Sequence, residues 1–399
     1  MPATDRTITM QDAIEHVRAH AFTTRGGAAG AEVEWLVVNP ADRLIRPPLD
    51  TVATLASAAT RTRVTFEPGG QLELSSEPGR LAEICDAIAA DEAAVTAALR
   101  GAGLDLLGMG LDPVRRDRRL VFGPRYDAME RYFDAGGPEG RRMMCGTASI
   151  QVNVDAGGPG GVDARWTRAH TIGPVLAAAF ANSPFALGRP SGWRSTRLAN
   201  WWQMDASRTH PAEAGGDADA AWARYALRAK VMMLRDGAGF VPAESAVSFG
   251  SWIERGYAGL YPSLDDLDYH LTTLFPPVRA RGWLELRFLD AQQAPWWRAA
   301  IAATVALMDD DAAADRAMRA CGPLAGHWMQ AARDGVSGPV FRAAAIECFA
   351  AAFDALPRLD ADDETIDAVE RFAATFTACG RCPADALLAQ PAPPVLVSR

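Results

Sequence analysis

Four segments of the chain alternate between apolar and polar residues, as strands do when one face lies in the core. They are AEVEWLVV, QLELS, SIQVNVD and WLELRFLD, at residues 31–38, 71–75, 149–155 and 283–290. Glutamate recurs on their polar faces and also in the turn before QLELS. The carboxylates concerned are Glu32, Glu34, Glu67, Glu73 and Glu285. Because glutamate is depleted in strands, its recurrence indicates chemistry.

Carboxylates that share one sheet face repel one another and cannot all ionise at low cost without cations. A hard divalent cation such as Mg²⁺ meets this need, because it binds carboxylates together with substrate phosphates. Gln151 offers a neutral oxygen on the polar face of SIQVNVD, and Arg287 beside Glu285 offers a permanent positive charge. Such a face is suited to phosphoryl transfer, in which a protein mainly positions groups and neutralises developing charge.

The alternative explanation is an antiparallel sheet with one solvated face, which shows the same alternation. In QLELS this alternation places Gln71, Glu73 and Ser75 on one side of the strand. A solvated face usually carries threonine, serine, lysine and mixed charges, yet lysine is absent from all four segments. The residue types therefore favour a ligand-binding face.

Other catalytic patterns are missing from the sequence. There is no GxxxxGK[ST] or GxGxxG phosphate-binding motif and no GxSxG, and the serines, histidines and cysteines form no recognisable nucleophile set. Of the six cysteines only Cys379 and Cys382 are close in sequence. One CxxC supplies two ligands where a structural zinc needs four, so we interpret it as a structurally unimportant pair, with redox sensitivity or metal binding as alternatives.

Composition narrows the classes of function. The net charge of −9 and the pI near 5.3 argue against a sequence-independent nucleic-acid binder, although ATP remains possible. The charged N-terminus has no apolar signal region, and the longest apolar run, residues 299–308, is too short to cross a membrane. We therefore expect a soluble, cytoplasmic protein with no nucleic-acid or membrane partner.

Helical periodicity, capping residues and helix-breaking prolines and glycines predict the surrounding elements. Helices are expected over 7–22, 81–100 and 163–182, and from Ser263, with Asp266 as its capping partner, to the Pro276–Pro277 stop. A short buried strand is expected within 103–111 and a loop over 182–193. From residue 294 onward the chain is Ala-rich and predicted to be helical. With no repeat or low-complexity linker, we predict one catalytic body over 1–399.

Six blocks carry a resemblance to a known family. They are EVEW, FEPGGQLELSS, SIQVNVD, ANSPFALGRPSGWRSTRLANWW, DYHLTTLFPPVR and WLELRFLD, in order over residues 30–290. The chain resembles the glutamate–cysteine ligases of plant and bacterial type, and above all the actinobacterial branch that makes γ-glutamylcysteine for ergothioneine. The resemblance implies an α+β, glutamine-synthetase-like fold: a curved, mainly antiparallel sheet forming a funnel-shaped active site, helices packed outside, and a helical C-terminal region over 294–390.

The resemblance also implies a reaction and its residues. ATP would phosphorylate the γ-carboxylate of L-glutamate, and the amine of L-cysteine would attack the γ-glutamyl phosphate. Arg287 matches the arginine that faces the transferred phosphate, and Glu285 accompanies it as a catalytic residue. Gln151 matches a position that is histidine in proteobacterial relatives and glutamine in plants. The carboxylates that match Mg²⁺ ligands, with Mn²⁺ as a possible substitute, are Glu32, Glu34, Glu67, Glu73 and Glu285.

Four further residues match the glutamate pocket of relatives. Arg197 and Trp201, four apart in RSTRLANWW, lie on one helix face and match the residues that hold the α-carboxylate. Met144 and Thr147 match a segment that lines the pocket. The structural alternatives are a solvated charge for Arg197 and core packing for Trp201 and Met144. Cys145 is interpreted as packing, because the reaction needs no protein nucleophile.

Three rival functions stay open at this point. The first is a carboxylate–amine ligase with a different amine acceptor, because the acceptor pocket cannot be identified from these residues. The second is a non-catalytic binding protein on the same scaffold, which the five retained glutamates disfavour. The third is a guanidino kinase, which lacks the FEPGGQLELS and RSTRLANWW blocks. The oligomeric state, monomer or dimer, is left undetermined.

Overall fold

Eleven strands, all paired antiparallel, occur in the part of the chain that the structure describes. A computed structural model describes residues 7–24, 26–157, 161–236, 239–243 and 246–390. The strands are β1 (Ala29–Val38), β2 (Arg63–Phe66), β3 (Leu72–Ser75), β4 (Asp105–Leu107), β5 (Ser149–Val154), β6 (Phe185–Ala186), β7 (Arg189–Pro190), β8 (Met233–Asp236), β9 (Gly239–Pro242), β10 (Val278–Ala280) and β11 (Leu284–Asp290).

Seven of these strands form one sheet, and all four alternating segments lie in it. Its order is β10–β11–β5–β1–β3–β2, and β4 pairs with the C-terminal part of β1. The remaining strands form two hairpins, β6–β7 and β8–β9. Because β1 pairs with both β3 and β5, it brings together polar faces that are far apart in sequence.

Seventeen α-helices are described around the sheet. They are α1 (Met10–Ala21), α2 (Leu49–Ala59), α3 (Leu81–Gly101), α4 (Pro124–Asp134), α5 (Glu139–Gly146), α6 (Val162–Ala179), α7 (Thr196–Gln203), α8 (Ala206–Thr209), α9 (Ala218–Arg228), α10 (Phe249–Arg255), α11 (Leu264–Leu271), α12 (Trp296–Asp309), α13 (Asp311–Cys321), α14 (Trp328–Asp334), α15 (Pro339–Ala355), α16 (Asp363–Thr375) and α17 (Pro383–Leu388). Short 3-10 turns lie at Gly322–Leu324, Leu356–Leu359 and Thr377–Cys379.

The apolar face of the sheet lies in the main core. Helix α3 packs on β1, α6 packs on β11 and α12 packs on β5. Val33 and Trp35 of β1 are fully buried, as are Ile150 and Val152 of β5. Burial of this face leaves the opposite, polar face for the site, and the prediction of an α+β fold with a mainly antiparallel sheet and outer helices is confirmed.

The C-terminal region is helical, as predicted, and shares the core of the sheet. One cluster of buried apolar residues extends from Ile8 to Phe376 and includes α12, α13, α15 and α16. The organisation of residues 1–399 as a single catalytic body, with a core over 30–290, stays a prediction.

Most predicted elements occur with small changes of boundary. The helices expected over 7–22, 81–100 and 163–182 are α1, α3 and α6. The helix expected from Ser263 to the Pro276–Pro277 stop is α11, which ends earlier, at Leu271. Ser263 and Asp266 form the expected capping box of α11, in which each side chain accepts a bond from the other residue's backbone N–H.

Two local predictions need correction. The strand expected within 103–111 covers only Asp105–Leu107, because the following backbone packs against the end of β11. A Cβ at Gly108 would lie 2.3 Å from the Gln292 backbone, and one at Gly110 would lie 2.4 Å from the Asp290 carboxyl carbon. The loop expected over 182–193 contains the two-residue strands β6 and β7.

Membrane-spanning potential is limited in the described residues. No single helix there is both long and apolar enough to cross a bilayer. Trp328–Asp334 and Pro339–Leu359 meet the length and composition criteria only as a pair, and they are bent by 94°. Trp328, Phe341 and Phe349 of this pair are buried in the core.

Candidate active site

Strand β1 supplies two carboxylates to the polar face of the sheet. Glu34 lies directly opposite Glu73 of β3, and Glu32 lies opposite Gln151 of β5. Directly opposed like charges destabilise a strand pair unless something neutralises them. Ser149 provides part of that compensation, since its backbone N–H and its hydroxyl donate to Glu34 at 2.8 and 3.0 Å.

The turn between β2 and β3 brings a third carboxylate to the same place. The Glu67 N–H donates to the Gln71 carbonyl at 2.9 Å, and the Gly70 N–H donates to the Glu67 carbonyl at 2.8 Å. Gly70 has φ = +83°, and a Cβ at Gly69 would lie 2.0 Å from the Cys145 carbonyl oxygen. Glycine is therefore required at both positions, and the close approach seats the turn against α5.

Glu34, Glu67 and Glu73 form a compact carboxylate cluster. One oxygen of each residue lies within 4.8 Å of the other two. Burial raises the pKa of all three carboxyls. For Glu67 and Glu73 the charge of Glu34 raises the pKa further. Two buried carboxylates and the half-buried Glu67, which repel one another, fit a hard divalent cation, and its binding would release the protons that they otherwise retain.

Glu32 lies beside this cluster. Burial raises its pKa to about 7, and the charges of Glu285 and Glu73 add to the rise. Its Oε1 is 3.5 Å from the amide nitrogen of Asn153. Glu32 is thus an acceptor next to the cluster rather than one of its three members.

Glu285 is surrounded by arginines and is completely buried. Its two oxygens accept from Arg279 at 2.5 and 2.9 Å, from Arg281 at 2.9 Å and from Arg287 at 2.9 Å. Burial alone would raise the pKa of Glu285, but Arg279, Arg287 and Arg281 outweigh it and hold the pKa far below its usual range. Glu285 is therefore ionised, and its partners here are guanidinium groups.

A β-bulge directs Arg287 toward the carboxylates. The register of β11 on β5 shifts by one residue between Leu286 and Leu289. A bulge changes the direction of a side chain, and Arg287 lies within it. Its Nη1 donates to Gln151 Oε1 as well as to Glu285, while the Gln151 amide nitrogen donates to Glu34 at 3.1 Å. Gln151 thus links the arginine cluster to the carboxylate cluster.

A cavity of about 590 Å³ opens over this face. Most of the predicted site residues line it, as do Arg63, Arg125 and Tyr126 at neighbouring positions. The predicted residues in its wall are Glu32, Glu34, Glu67, Glu73, Met144, Thr147, Gln151, Trp201 and Arg287. Glu285 and Arg197 are not part of the wall and contact residues that are.

Arg197 packs behind Trp201. Its guanidinium carbon lies 4.9 Å from the centroid of the Trp201 ring, and Nη2 donates to the Arg287 carbonyl at 2.6 Å. Nη1 is 3.6 Å from Asp290, too far for a hydrogen bond, so Nε and Nη1 lack a bonding partner among the described residues. The Trp201 indole nitrogen donates to the Phe275 carbonyl at 2.7 Å. Asp290 neutralises this buried guanidinium across 3.6 Å, while Nε and Nη1 keep donors that could bind a further acceptor.

Comparison with known proteins identifies the family. The family model described as glutamate-cysteine ligase family 2 (GCS2) matches residues 28–394. The chain belongs to this family. The family match confirms the resemblance predicted from the six blocks, and with it the prediction of an enzyme of the ligase class.

Two named relatives illustrate the range within glutamate-cysteine ligase family 2. The chain is 40% identical over 360 residues to the glutamate–cysteine ligase EgtA of Mycolicibacterium smegmatis, covering 87% of this chain and 85% of the relative. It is 30% identical over 282 residues to the chloroplastic glutamate–cysteine ligase of Arabidopsis thaliana, covering 68% of this chain and 53% of the relative.

Solved structures give more distant matches. The glutamate–cysteine ligase of Francisella tularensis in complex with AMP matches at a TM-score of 0.48 and 14% identity, covering 93% of this chain and 86% of that chain. A bifunctional glutathione synthetase from Pasteurella multocida matches at a TM-score of 0.49 and 12% identity, covering 95% and 51%.

Sequence reasoning missed two arginines that bind Glu285, one in β10 and one directly after it. Arg279 and Arg281 alternate with Val278 and Ala280, so the same pattern that identified Glu285 and its neighbour was present in VRAR. The segment contributed to the family resemblance, but its arginines were not singled out. Pairing of β10 with β11 places Arg279 directly opposite Glu285.

Two residues near the cavity differ in role from the predicted carboxylates. Gln71 was expected on the face of Glu73, but it lines a narrow second cavity with Cys145 and Arg46. The sharp turn at Gly69–Gly70 precedes β3, so strand alternation does not extend back to Gln71. Burial raises the pKa of Cys145 to about 12, which keeps the thiol protonated and agrees with the interpretation of this residue as packing.

Proposed function

We propose that the chain catalyses the ATP-dependent ligation of the γ-carboxylate of L-glutamate to the amine of L-cysteine. The products are γ-glutamylcysteine, ADP and phosphate, and γ-glutamyl phosphate is the intermediate. Membership of glutamate-cysteine ligase family 2 and the names of relatives at 40% identity support the reaction. The chemistry of the cavity supports the requirement for ATP and a divalent cation.

The observation that carries the proposal is the cluster of Glu34, Glu67 and Glu73 within 4.8 Å. These residues would hold Mg²⁺, or Mn²⁺ in its place, with Glu32 beside them as a further oxygen ligand. The ion would supply charge neutralisation for the polyphosphate. A purely structural use of three clustered carboxylates would leave their repulsion uncompensated.

The arginines supply the fixed positive charge. Arg287 would face the transferred phosphate, because the bulge in β11 and its bond to Glu285 hold its guanidinium against Gln151 at the cavity wall. Preorganised cations stabilise a transferring phosphoryl group without reorganisation during the reaction. We propose that Glu285 acts by ordering Arg287. Its predicted role as a metal ligand would require its oxygens to exchange arginine partners for the ion. Gln151 would join the metal site through the side-chain oxygen that accepts from Arg287 in this structure.

We assign the glutamate pocket to the part of the site where Trp201 lines the cavity wall and Arg197 packs behind it. The unsatisfied donors of Arg197 would bind the α-carboxylate of L-glutamate, and Trp201 would orient that guanidinium by stacking. Met144 and Thr147 would form the adjoining wall. Thr147 is held in place because its hydroxyl donates to the Met143 carbonyl at 2.6 Å.

The direct test supplies ATP, Mg²⁺ and L-glutamate with a panel of amino acids, and scores phosphate release and the mass of the amide product. L-Cysteine is expected to give the highest kcat/KM, and γ-glutamylcysteine is the expected product. A clear preference for another amine would replace the substrate assignment by the first alternative, a carboxylate–amine ligase with a different acceptor.

The metal assignment is tested separately by calorimetric titration of Mn²⁺ into the apo-protein. Glu67→Gln should weaken Mn²⁺ binding at least about tenfold, because one charged ligand of the cluster is lost. Glu77→Gln, at an exposed position, is the matched control and should bind as the wild type does. Equal Mn²⁺ affinities for the wild type, Glu67→Gln and Glu77→Gln would contradict the assignment of the metal site. The chain would then no longer be distinguished from a non-catalytic binding protein on the same scaffold.

We also propose that γ-glutamylcysteine made by this chain enters ergothioneine biosynthesis. The support is the resemblance to the actinobacterial branch and the match to mycobacterial relatives. Deletion of the gene in its host should abolish ergothioneine, and added γ-glutamylcysteine should restore it. Unchanged ergothioneine in the deletion strain would assign the product to another route.

A further inference from the structure

Two cysteines far apart in sequence meet in the C-terminal helices. Cys321 is the last residue of α13, and Cys348 lies in the middle of α15. Their sulfur atoms are 3.3 Å apart, although 27 positions separate them in the chain. Neither residue belongs to the cavity or to the predicted site, and no sequence motif links the two positions.

The environment of the two thiols is closed and apolar. Both residues are fully buried, and both belong to the main core cluster. Within the part of the chain that the structure describes, the Cys348 sulfur makes its hydrogen-bond contact with Cys321, so the two thiols are neighbours. A covalent bond would need the sulfurs to approach by roughly a further 1.3 Å, which small side-chain rotations can supply.

We propose that Cys321 and Cys348 form a reversible disulfide site that joins α13 to α15. A low-molecular-weight disulfide is the oxidant. One cysteine thiolate attacks a sulfur of the oxidant and expels the first small thiolate, which leaves a mixed disulfide. The second cysteine thiolate attacks that protein sulfur and expels the second small thiolate. Two protein S–H bonds are lost, one S–S bond forms, and the oxidant leaves as two thiols.

The closed state explains why the site stays reduced in ordinary conditions. The hydrogen bond with Cys321 raises the pKa of the Cys348 thiol well above its usual range, and burial raises it further. The attacking species is the thiolate, so exchange is slow while the helices stay packed. Oxidation therefore requires a local separation of α13 and α15 or a sustained oxidising condition.

The CxxC pair provides an internal comparison. The Cys382 sulfur donates to Asp385 at 3.3 Å and is buried, whereas the exposed Cys379 donates to the Ala374 carbonyl at 3.5 Å. Their thiols thus contact different partners in different environments. Proximity in sequence indicates the pair 379 and 382, whereas proximity in space indicates the pair 321 and 348.

The test is peptide mapping of the full-length protein after equilibration in a glutathione redox buffer and trapping with an alkylating agent. Oxidised protein should lose about 2 Da, the mass of two hydrogens. Trypsin should then release residues 320–333 linked to residues 343–358. Cys379 and Cys382 should be recovered alkylated. Alkylation of all six cysteines in the most oxidising buffer, or a link between 379 and 382 instead, would overturn the proposal.

Stability provides a second readout that does not depend on mapping. A disulfide between these positions should raise the thermal midpoint by roughly 5 °C, because it constrains the unfolded chain. Cys348→Ala should abolish the difference between oxidised and reduced protein, and Cys321→Ala should do the same. A double Cys379→Ala and Cys382→Ala variant is the matched control and should keep the difference. Loss of the difference only in that control would refute the assignment.

Discussion

Glu285 is a single buried carboxylate that accepts hydrogen bonds from three guanidinium groups. Its negative charge therefore contributes more to the site than its side-chain volume does. Arg279 is buried and Arg287 is half-buried at the cavity wall, and both depend on Glu285 for neutralisation. Removing one partner of a buried ion pair leaves the others uncompensated, which costs about 3–5 kcal/mol. The same change frees Arg287 from one of the two acceptors that orient it.

Glu285→Gln should therefore lower kcat by about 10²–10³-fold while the protein still folds. The urea midpoint should fall, but the far-ultraviolet circular dichroism spectrum at low urea should match that of the wild type. Glu77→Gln is the exposed control and should leave both quantities unchanged. Wild-type turnover in Glu285→Gln would contradict the role of this residue in ordering Arg287 and at the metal site.

Arg197 tests the glutamate pocket. Arg197→Ala removes the cation with unsatisfied donors, so the KM for L-glutamate should rise by about 10–100-fold, while the KM values for ATP and L-cysteine change little. Arg197→Lys should recover only part of the loss, because an ammonium lacks the planar fork. Arg194→Ala, which removes an ion pair with Asp385 outside the cavity, is the control. If Arg197→Ala changed only the affinity for ATP or L-cysteine, the assignment of the glutamate pocket to Arg197 would be wrong.

Strand alternation predicted which residues share the polar face, since it depends only on local geometry. It placed Glu32, Glu34 and Glu73 correctly around one cavity. It did not reveal that Glu285 is neutralised by Arg279 and Arg281, because that depends on the pairing of β10 with β11. The contact of Cys321 with Cys348 was hidden for the same reason, as it arises from the packing of two helices.

At the level of elements, short signals fix the segments that carry the site. The two glycines between β2 and β3 seat Glu67, and the bulge in β11 aims Arg287. The capping box at Ser263 begins α11, and the chain that follows reaches the cavity wall at Leu271, Thr272 and Phe275. Caps and turns of this kind can be recognised in a sequence because their chemistry is local.

Ser263→Ala should lower the free energy of unfolding by about 1 kcal/mol. Ser263 Oγ accepts from the Asp266 N–H at 3.3 Å, and it also accepts from Arg235 at 3.1 Å. The hydroxyl also donates to the Asp266 carboxylate at 2.7 Å. Alanine removes all three bonds, whereas Ser263→Thr retains a hydroxyl and should cost less. The measurement is the urea midpoint at constant slope. Equal midpoints for the alanine and threonine variants would show that the cap contributes nothing.

Elements that depend on distant contacts were predicted less well. The segment 103–111 has strand-like composition, but its glycines approach Gln292 and Asp290 so closely that only Asp105–Leu107 pairs with β1. The hairpin β6–β7 lies within a stretch whose proline and glycine content indicated a loop. In both cases the outcome depends on a neighbouring segment that local composition does not specify.

At the scale of the whole molecule, no local pattern in the sequence predicts the order of the strands in the sheet. β1, β3, β5 and β11 lie far apart along the chain, yet their polar faces converge because β1 and β5 occupy the middle of the sheet. The family resemblance implied a curved, mainly antiparallel sheet, but it did not give the order of its strands. Some pKa shifts exist only in the folded chain, because tertiary burial causes them. Burial raises the pKa values of four carboxyls at the site and lowers those of His170 and His270.

The two histidines contribute a measurable pH dependence of stability. Burial lowers the pKa of His170 to about 4 and that of His270 to about 3, and Arg208 adds to the effect at His270. Unfolded histidine titrates near 6.5, so between pH 6.5 and 4 the unfolded chain binds more protons than the folded one. Their contribution is complete above pH 6.5 and is lost as the pH falls, at up to about 1.4 kcal/mol per pH unit for each residue.

The carboxyls with raised pKa values have the opposite effect on stability, because they favour the folded state at low pH. The pH profile of the wild-type free energy of unfolding therefore does not separate the contribution of the histidines. The difference between wild type and His170→Gln does. Below pH 6.5 the free energy of unfolding of His170→Gln should fall less steeply, by about one proton, while above pH 7 the two profiles should run parallel because the imidazole is neutral in both states. Urea titrations at half-unit intervals from pH 4.5 to 8 provide the measurement. Profiles that stay parallel throughout would mean that His170 is protonated in the folded protein. We expect the opposite, because His170 is buried beside Trp166 and its Nδ1 donates to the Trp166 carbonyl at 2.9 Å.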